Sequence, residues 1–257
     1  MSSPISSVRL TLEGASAAKP SCCGIGILAL CLGFLWQCTT VYRNYGGDWT
    51  ALFCIGSVTA VPPELHGGYR FQQSTGFDGQ FYYIIALDPL FRRGLDHYVD
   101  WPGLRYRRIL VPALAYAGAL GQPNAIAYSY ILVNLGFLFL GTLWMSKHAV
   151  LSGRHAAWGL AFLAAPAVLI SLDRQTVDLA LTALCVGVTH AWRTKRWNLL
   201  YLLLGLACMV RETGLVVAVA FVVTFIFGVN GEPQHWLCSA HFHSGPGHGM
   251  WVTISPP

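Results

Sequence analysis

Residues 125–145 read AIAYSYILVNLGFLFLGTLWM, twenty-one positions without a charge. A hydrocarbon layer about 30 Å thick needs roughly 20 apolar residues per crossing helix, so this stretch predicts one full membrane span. Upstream, the turn Gly121-Gln122-Pro123-Asn124 separates it from a shorter apolar helix at 109–121. Downstream it ends in a basic loop with Lys147, His148 and Arg154. Further spans are predicted at 156–172, ending on Asp173-Arg174, and at 176–192, ending on Arg193-Thr194-Lys195-Arg196. A pair at 199–210 and 214–229 is interrupted by Arg211-Glu212. Near the N-terminus, residues 23–42 (CGIGILALCLGFLWQCTTVY) are also long enough to span. No small-x-small cleavage site follows them, which favours an uncleaved anchor over a secretory signal peptide.

Composition agrees with this pattern. Hydrophobic residues make up 54% of the 257 and charged residues only 11%, with a mean hydropathy of +0.51. Soluble domains carry about 25% charged residues, so a chain this poor in charge cannot cover a water-facing surface. The composition leaves room for about five to seven crossings. The net charge of +5 sits at the ends of apolar runs, where basic residues anchor membrane helices. It does not form the basic, aromatic-interleaved face of a nucleic-acid binder, so nucleic acid is excluded as a partner. The eight cysteines lie largely within apolar runs and show no zinc spacing. His235, Cys238, His241, His243 and His248 near the C-terminus are too irregularly spaced to predict a tetrahedral site. No metal and no cofactor are expected.

Residues 43–108 differ in character. They hold Asp48, Glu64, Asp78, Asp88, Asp96 and Asp100, over half of the 11 acidic residues, together with four prolines and many aromatics. That composition predicts an ordered aqueous loop of interfacial helices, since linkers are poor in aromatics. The basic loops at 147–154 and 193–196 belong on the cytoplasmic side by the positive-inside rule. Asp173-Arg174 and the 43–108 loop then lie on the opposite side, and the N-terminus is cytoplasmic. This parity requires one crossing between 108 and 146, which makes 109–121 re-entrant. The expected architecture is an all-α, polytopic transmembrane helix bundle in the cell membrane with a large extracytoplasmic first loop. Residues 1–22 form a cytoplasmic segment, 23–229 the transmembrane domain, and 230–257 a flexible tail.

Ionisable groups at membrane depth are costly and are candidates for function. Asp78, in Gly76-Phe77-Asp78-Gly79-Gln80-Phe81-Tyr82, sits between an aromatic and a glycine, with Asp88-Pro89 downstream. It could take a proton from a hydroxyl, while Gly79 lets a substrate approach the backbone. Alternatively, Asp78 caps the helix that follows. Asp173 reads either as a helix-terminal cap or as part of a site, and Asp178, inside the next span, needs a partner. Arg211-Glu212 is a self-neutralised turn or a phosphate clamp. Arg105, Arg107 and Arg108 at the junction of loop and membrane are phosphate ligands or anchors to anionic lipid.

The acidic motif Phe77-Asp78-Gly79-Gln80-Phe81-Tyr82, the basic run Arg105-Tyr106-Arg107-Arg108 before a membrane helix, the span pair hinged on Asp173, and Arg211-Glu212-Thr213-Gly214 together resemble a known family. It is that of the C-type-fold, polyprenyl-phosphate-sugar-dependent glycosyltransferases, the mannosyltransferase-like membrane proteins. The resemblance covers residues 23–229, the N-terminal half of such a protein, so a shortened family member is expected. It implies transfer of a sugar from a polyprenyl-phosphate donor to an acceptor hydroxyl at the extracytoplasmic face. Asp78 would then act as general base and Asp173 would stabilise the site. Arg107, Arg108 and Arg211 would hold the lipid phosphate, with Glu212 and Gln80 completing the substrate-binding set. The partners implied are membrane lipid and the lipid-linked sugar. A transporter would instead show inverted repeats, and no internal repeat is visible. A non-catalytic scaffold subunit is the other alternative.

Overall fold

The computed structural model describes residues 21–227, which form helices and 3₁₀ turns with no strand among the described residues. The expectations for 1–22 and 230–257, the His/Cys group included, therefore fall outside the described residues except at Ser21 and Cys22. The chain divides into two units, 1–218 and 219–257. Of the second, residues 219–227 are described and are helical.

Among the described residues two helices are long and apolar enough to cross a membrane: α1 (Cys22–Asn44) and a 29-residue helix, Pro123–Leu151. Between them lie α2 (Asp78–Leu87), α3 (Pro102–Arg105) and α4 (Leu110–Gly118), which makes the 29-residue helix α5. Ser21 starts α1 by accepting the Gly24 N–H on its hydroxyl at 3.0 Å, satisfying one of the first turn's free donors. Pro123 opens α5 at the first helical position, where a missing N–H costs nothing.

The span predicted at 156–172 is broken. A 3₁₀ helix, Ala156–Ala164, meets α6 (Pro166–Arg174) at 63°, so this pair is at most a third crossing. Pro166 is the cause. It has no N–H to donate and its ring disfavours the helical conformation of the preceding residue. Ala165 is accordingly extended, at φ −69° and ψ 127°. The remaining elements are α7 (Asp178–Arg193), α8 (Trp197–Val210) and α9 (Glu212–Phe227), of 16, 14 and 16 residues. At 1.5 Å per residue these reach about 21–24 Å, so by length alone the described residues offer fewer crossings than the composition allows. The nine residues of α4 are too short to span. Gly118 of α4 lies against Ser129 of α5, so the two form a hairpin.

α1 and α5 approach closely because glycines face large side chains. Gly26 receives the Phe139 ring and Gly33 the Leu138 side chain, the small-against-large pattern that packs membrane helices without a hydrophobic driving force. A buried polar layer lies at the end of this contact. Asn134 donates to Gln175 Oε1 at 2.8 Å, while Gln37 and Gln175 both donate to the Leu172 carbonyl at 3.0 and 3.3 Å. Gln175 adopts a left-handed φ of 47° to do so. Asn134→Leu should strip the donor from the buried Gln175 oxygen and cost about 1–3 kcal/mol. The thermal midpoint in detergent reads this, and Asn134→Gln should lose less.

The two ends of the helical layer carry different chemistry. At one end Arg193 donates to the Ser152 hydroxyl (2.6 Å) and the Leu151 carbonyl (3.0 Å), joining the two basic segments. At the other, Phe53 packs edge-on against Tyr130, 5.4 Å between ring centres. About 22 residues of α5 separate these points, roughly 33 Å.

Within the 43–108 loop, α2 does not lie on the protein surface. α2 is buried on eight of its ten residues, and burial pushes the Tyr83 phenol up to about 12. Its sequence DGQFYYIIAL is apolar around its whole circumference after Gln80, so no face of it suits water. The loop covers it. Asp88, itself buried, accepts the N–H groups of Arg92, Arg93 and Leu95 at 2.8, 2.8 and 3.3 Å. Asp88 thus serves the loop's fold, because three backbone donors take up its carboxylate.

Candidate functional site

The loop end of the molecule concentrates the charged groups that the sequence singles out. Asp78 is the first residue of α2, with Phe77 as a cap that makes no side-chain bond. The capping alternative is therefore reduced to a carboxylate at the positive end of the helix dipole. Gly79 behind it is needed for a close approach, but by the chain itself. A Cβ there would overlap the carbonyl oxygen of Arg174 and press on that of Phe53. α2 is thus seated directly on the end of α6.

Arg105 organises the site. Its side chain is only 11% exposed, and it lies 2.9 Å from Asp78 and 2.8 Å from Asp100. Nε and Nη2 donate to the two oxygens of Asp100 at 2.8 and 3.1 Å, and Nη2 also donates to Asp78 Oδ1 at 2.9 Å. The guanidinium stacks 4.8 Å over the Phe81 ring. Burial works against its charge, yet the two carboxylates more than offset this and raise its pKa above the ordinary value. The two acids remain 45% and 42% exposed, so the pair presents free carboxylate edges to solvent. These edges face a cleft of about 490 Å³ walled by Phe77, Phe81, Tyr98 and His97.

Asp100 is the functional candidate that the sequence does not single out. It is one of six acids in the loop, and neither its spacing from Asp78 nor a motif pairs the two. The one available signal is local: Asp100 precedes the helix-starting Pro102 and stands five residues before Arg105.

Gln80 is engaged in holding the loop. Its Oε1 accepts the Gly56 N–H at 3.1 Å and its Nε2 donates to the Thr75 carbonyl at 2.8 Å. Although Gln80 borders the cleft, it is 1% exposed. Arg108 is also buried and is held twice, by Glu212 (3.0 Å from Nη2) and by the Tyr82 hydroxyl, to which Nη1 donates at 2.8 Å. Arg211 pairs with Asp178 and so supplies the partner that the sequence leads one to expect for this acid. Asp178 also accepts from the Thr176 hydroxyl at 3.1 Å. Arg211 is the single extended residue between α8 and α9, at φ −162° and ψ 154°. The structure thus ties the α8–α9 break to α7 through Arg211 and to the α2–α4 region through Glu212. Arg107 is exposed and makes no ion pair among the described residues.

Asp173 does not line the Asp78 cleft. It pairs with Arg174 at 3.2 Å and faces a second cleft beside the end of α1. Arg174 turns away from it toward the first site, donating to Cys54 Sγ at 3.3 Å and lying 5.6 Å from the Phe77 ring centre. Burial pushes the Cys54 thiol up despite this cation. Asp78 and Asp173 therefore occupy the same end of the molecule, on either side of the contact between Gly79 and Arg174, but open into different clefts.

Among the described residues no group of three or more metal-ligating side chains converges. No family model matches this chain, and no curated protein or solved structure matches it.

Proposed function

We propose that this chain is a polytopic membrane protein that transfers a sugar from a polyprenyl-phosphate donor to an acceptor hydroxyl, using the Asp78 cleft. The observation that carries the reading is the Asp78–Arg105–Asp100 arrangement. A solvent-accessible carboxylate is fixed at a helix start, in an aromatic-walled cleft, at the end of apolar helices that a lipid-borne donor can reach sideways. Aromatic walls suit the apolar faces of a sugar ring, and carboxylate edges accept its hydroxyls.

In this reaction Asp78 takes the proton of the acceptor hydroxyl. The oxygen attacks the anomeric carbon, the bond from that carbon to the phosphate oxygen breaks, and polyprenyl phosphate leaves with the electron pair. Arg105 fixes the base by donating to Asp78 Oδ1 at 2.9 Å. A cation must meet the leaving phosphate. Arg107, which makes no ion pair among the described residues, can do so; Arg108 and Arg211 would first have to release Glu212 and Asp178.

The reading is tested in proteoliposomes supplied with polyprenyl-phosphate sugars and a soluble acceptor. Sugar transfer that requires Asp78 supports it, and no transfer from any such donor by the intact parent chain overturns it. Sidedness is checked separately by reporter fusions after Asp78, Asp173 and Lys195. The first two should report the extracytoplasmic side and the third the cytoplasm.

A further inference from the structure

The second cleft, about 470 Å³ at the end of α1, plays no part in the proposed transfer. It is lined by Trp36, Thr40, Arg43 and Asn44 of α1 and by Asp173 of α6, among others. It continues a stripe of α1 that the described residues leave uncovered. Leu28, Leu32, Leu35 and Trp36 are 44%, 44%, 62% and 57% exposed. At helical spacing, positions 28, 32, 35, 36, 39 and 43 share one face. The stripe is apolar up to Trp36, a residue type that settles at the boundary of the hydrocarbon. Arg43 lies seven residues further on, about 10 Å along the axis, at the depth of lipid headgroups.

The charges at this depth are of opposite sign and incompletely paired. Arg43 makes no ion pair among the described residues, although it lies in the last turn of an apolar helix. Asp173 uses one oxygen on Arg174 Nε and keeps its side chain 37% exposed. The free carbonyls at the α1 C-terminus add partial negative charge near Asp173. A simple anion would meet Arg43 but be repelled by Asp173 and these carbonyls; a simple cation would meet the reverse.

We infer that this cleft binds the zwitterionic headgroup of a phospholipid carrying a primary ammonium, of the phosphoethanolamine type. The phosphate meets Arg43 and the Thr40 hydroxyl, the ammonium donates to Asp173, and an acyl chain lies along Leu28, Leu32 and Leu35. A quaternary ammonium has no N–H for Asp173 and would need an aromatic cage. The Tyr45 ring in this cleft is already engaged edge-on by Tyr69 and Phe71, with centres 5.1 and 5.6 Å away.

The test is native mass spectrometry of the full chain released from vesicles of equal parts phosphatidylethanolamine, phosphatidylglycerol and phosphatidylcholine. The parent should retain phosphatidylethanolamine about tenfold over the other two, the effect of one charge-assisted hydrogen bond. Arg43→Ala should lower that retention about tenfold. Asp173→Asn should bring phosphatidylethanolamine down to the level of phosphatidylglycerol without lowering the latter. Arg43 is exposed and Asp173 half-buried, and an ion pair this accessible to solvent contributes little to stability, so both variants should fold. Equal retention of the three lipids by the parent overturns the inference. So does parent-like retention by both variants, or displacement of phosphatidylethanolamine by an equimolar polyprenyl phosphate. None of these results bears on whether Asp78 transfers sugar.

Discussion

Asp78→Asn should lower sugar transfer about a thousandfold, the middle of the range for removing a positioned general base, with little change in the thermal midpoint. The two expectations are separable because Arg105 has two acids. With Asp78 neutral, Nε and Nη2 still hold both oxygens of Asp100 at 2.8 and 3.1 Å, so the buried guanidinium keeps a charged partner. An amide at position 78 can still accept from Arg105 but cannot take a proton from a hydroxyl. The companion variant Asp100→Asn places the reverse demand on the site. It leaves the base and weakens what positions it, so transfer should fall about tenfold, in kcat more than in KM, and Asp100→Glu should recover part of it. Equal losses in the two variants would mean that Asp78 is no more than a partner of Arg105. Turnover with the lipid-phosphate sugar, measured beside melting curves of each variant, decides between these outcomes.

Gly79→Val should destabilise the loop end more than any other single change considered for this chain, by about 3 kcal/mol or more. The glycine does not sit at a positive φ, so backbone conformation is not the reason. Its Cα hydrogen faces the carbonyl oxygens of Arg174 and Phe53, and any Cβ would overlap the first of them. Both obstacles are backbone, so neither can swing aside as a side chain would. α2 would have to lift from α6, uncovering Ile84, Ile85 and Leu87, all at or below 1% exposure. Gly79→Ala should show the same effect at lower amplitude. Proteolysis within 43–108, compared between parent and variant in detergent, reads the lifted loop directly. A parent-like cleavage pattern and melting curve for Gly79→Val would show that the α2–α6 contact is not what seats the loop.

The site was partly legible in the sequence. An acid between Phe77 and a glycine, followed by an apolar run, marked Asp78 as the carboxylate to examine, and Arg105 stood in the basic run at the membrane junction. Their pairing was not legible, because 27 residues separate them and three other arginines compete on paper for the same acid. Asp173 and Asp178 stand in one short segment, yet the left-handed turn at Gln175 sends Asp173 to the α1 cleft and Asp178 to Arg211. Gln80 and Gly79 carry a motif that reads as substrate contact, whereas both are occupied by the chain's own backbone.

By itself the sequence determined that this chain is helical, with apolar helices of membrane-crossing length, because hydrophobic length and the scarcity of charge act locally and need no knowledge of neighbours. It also set the break at Pro166, whose lost N–H is a local fact, though the uninterrupted apolar run around it hides the break. Only the tertiary structure decided that α2 is buried, that Asp78 and Asp100 share one guanidinium, and that the acids at 78 and 173 open into separate clefts. Those outcomes depend on which distant groups meet, and a charge carries no mark in the sequence of the partner that will neutralise it.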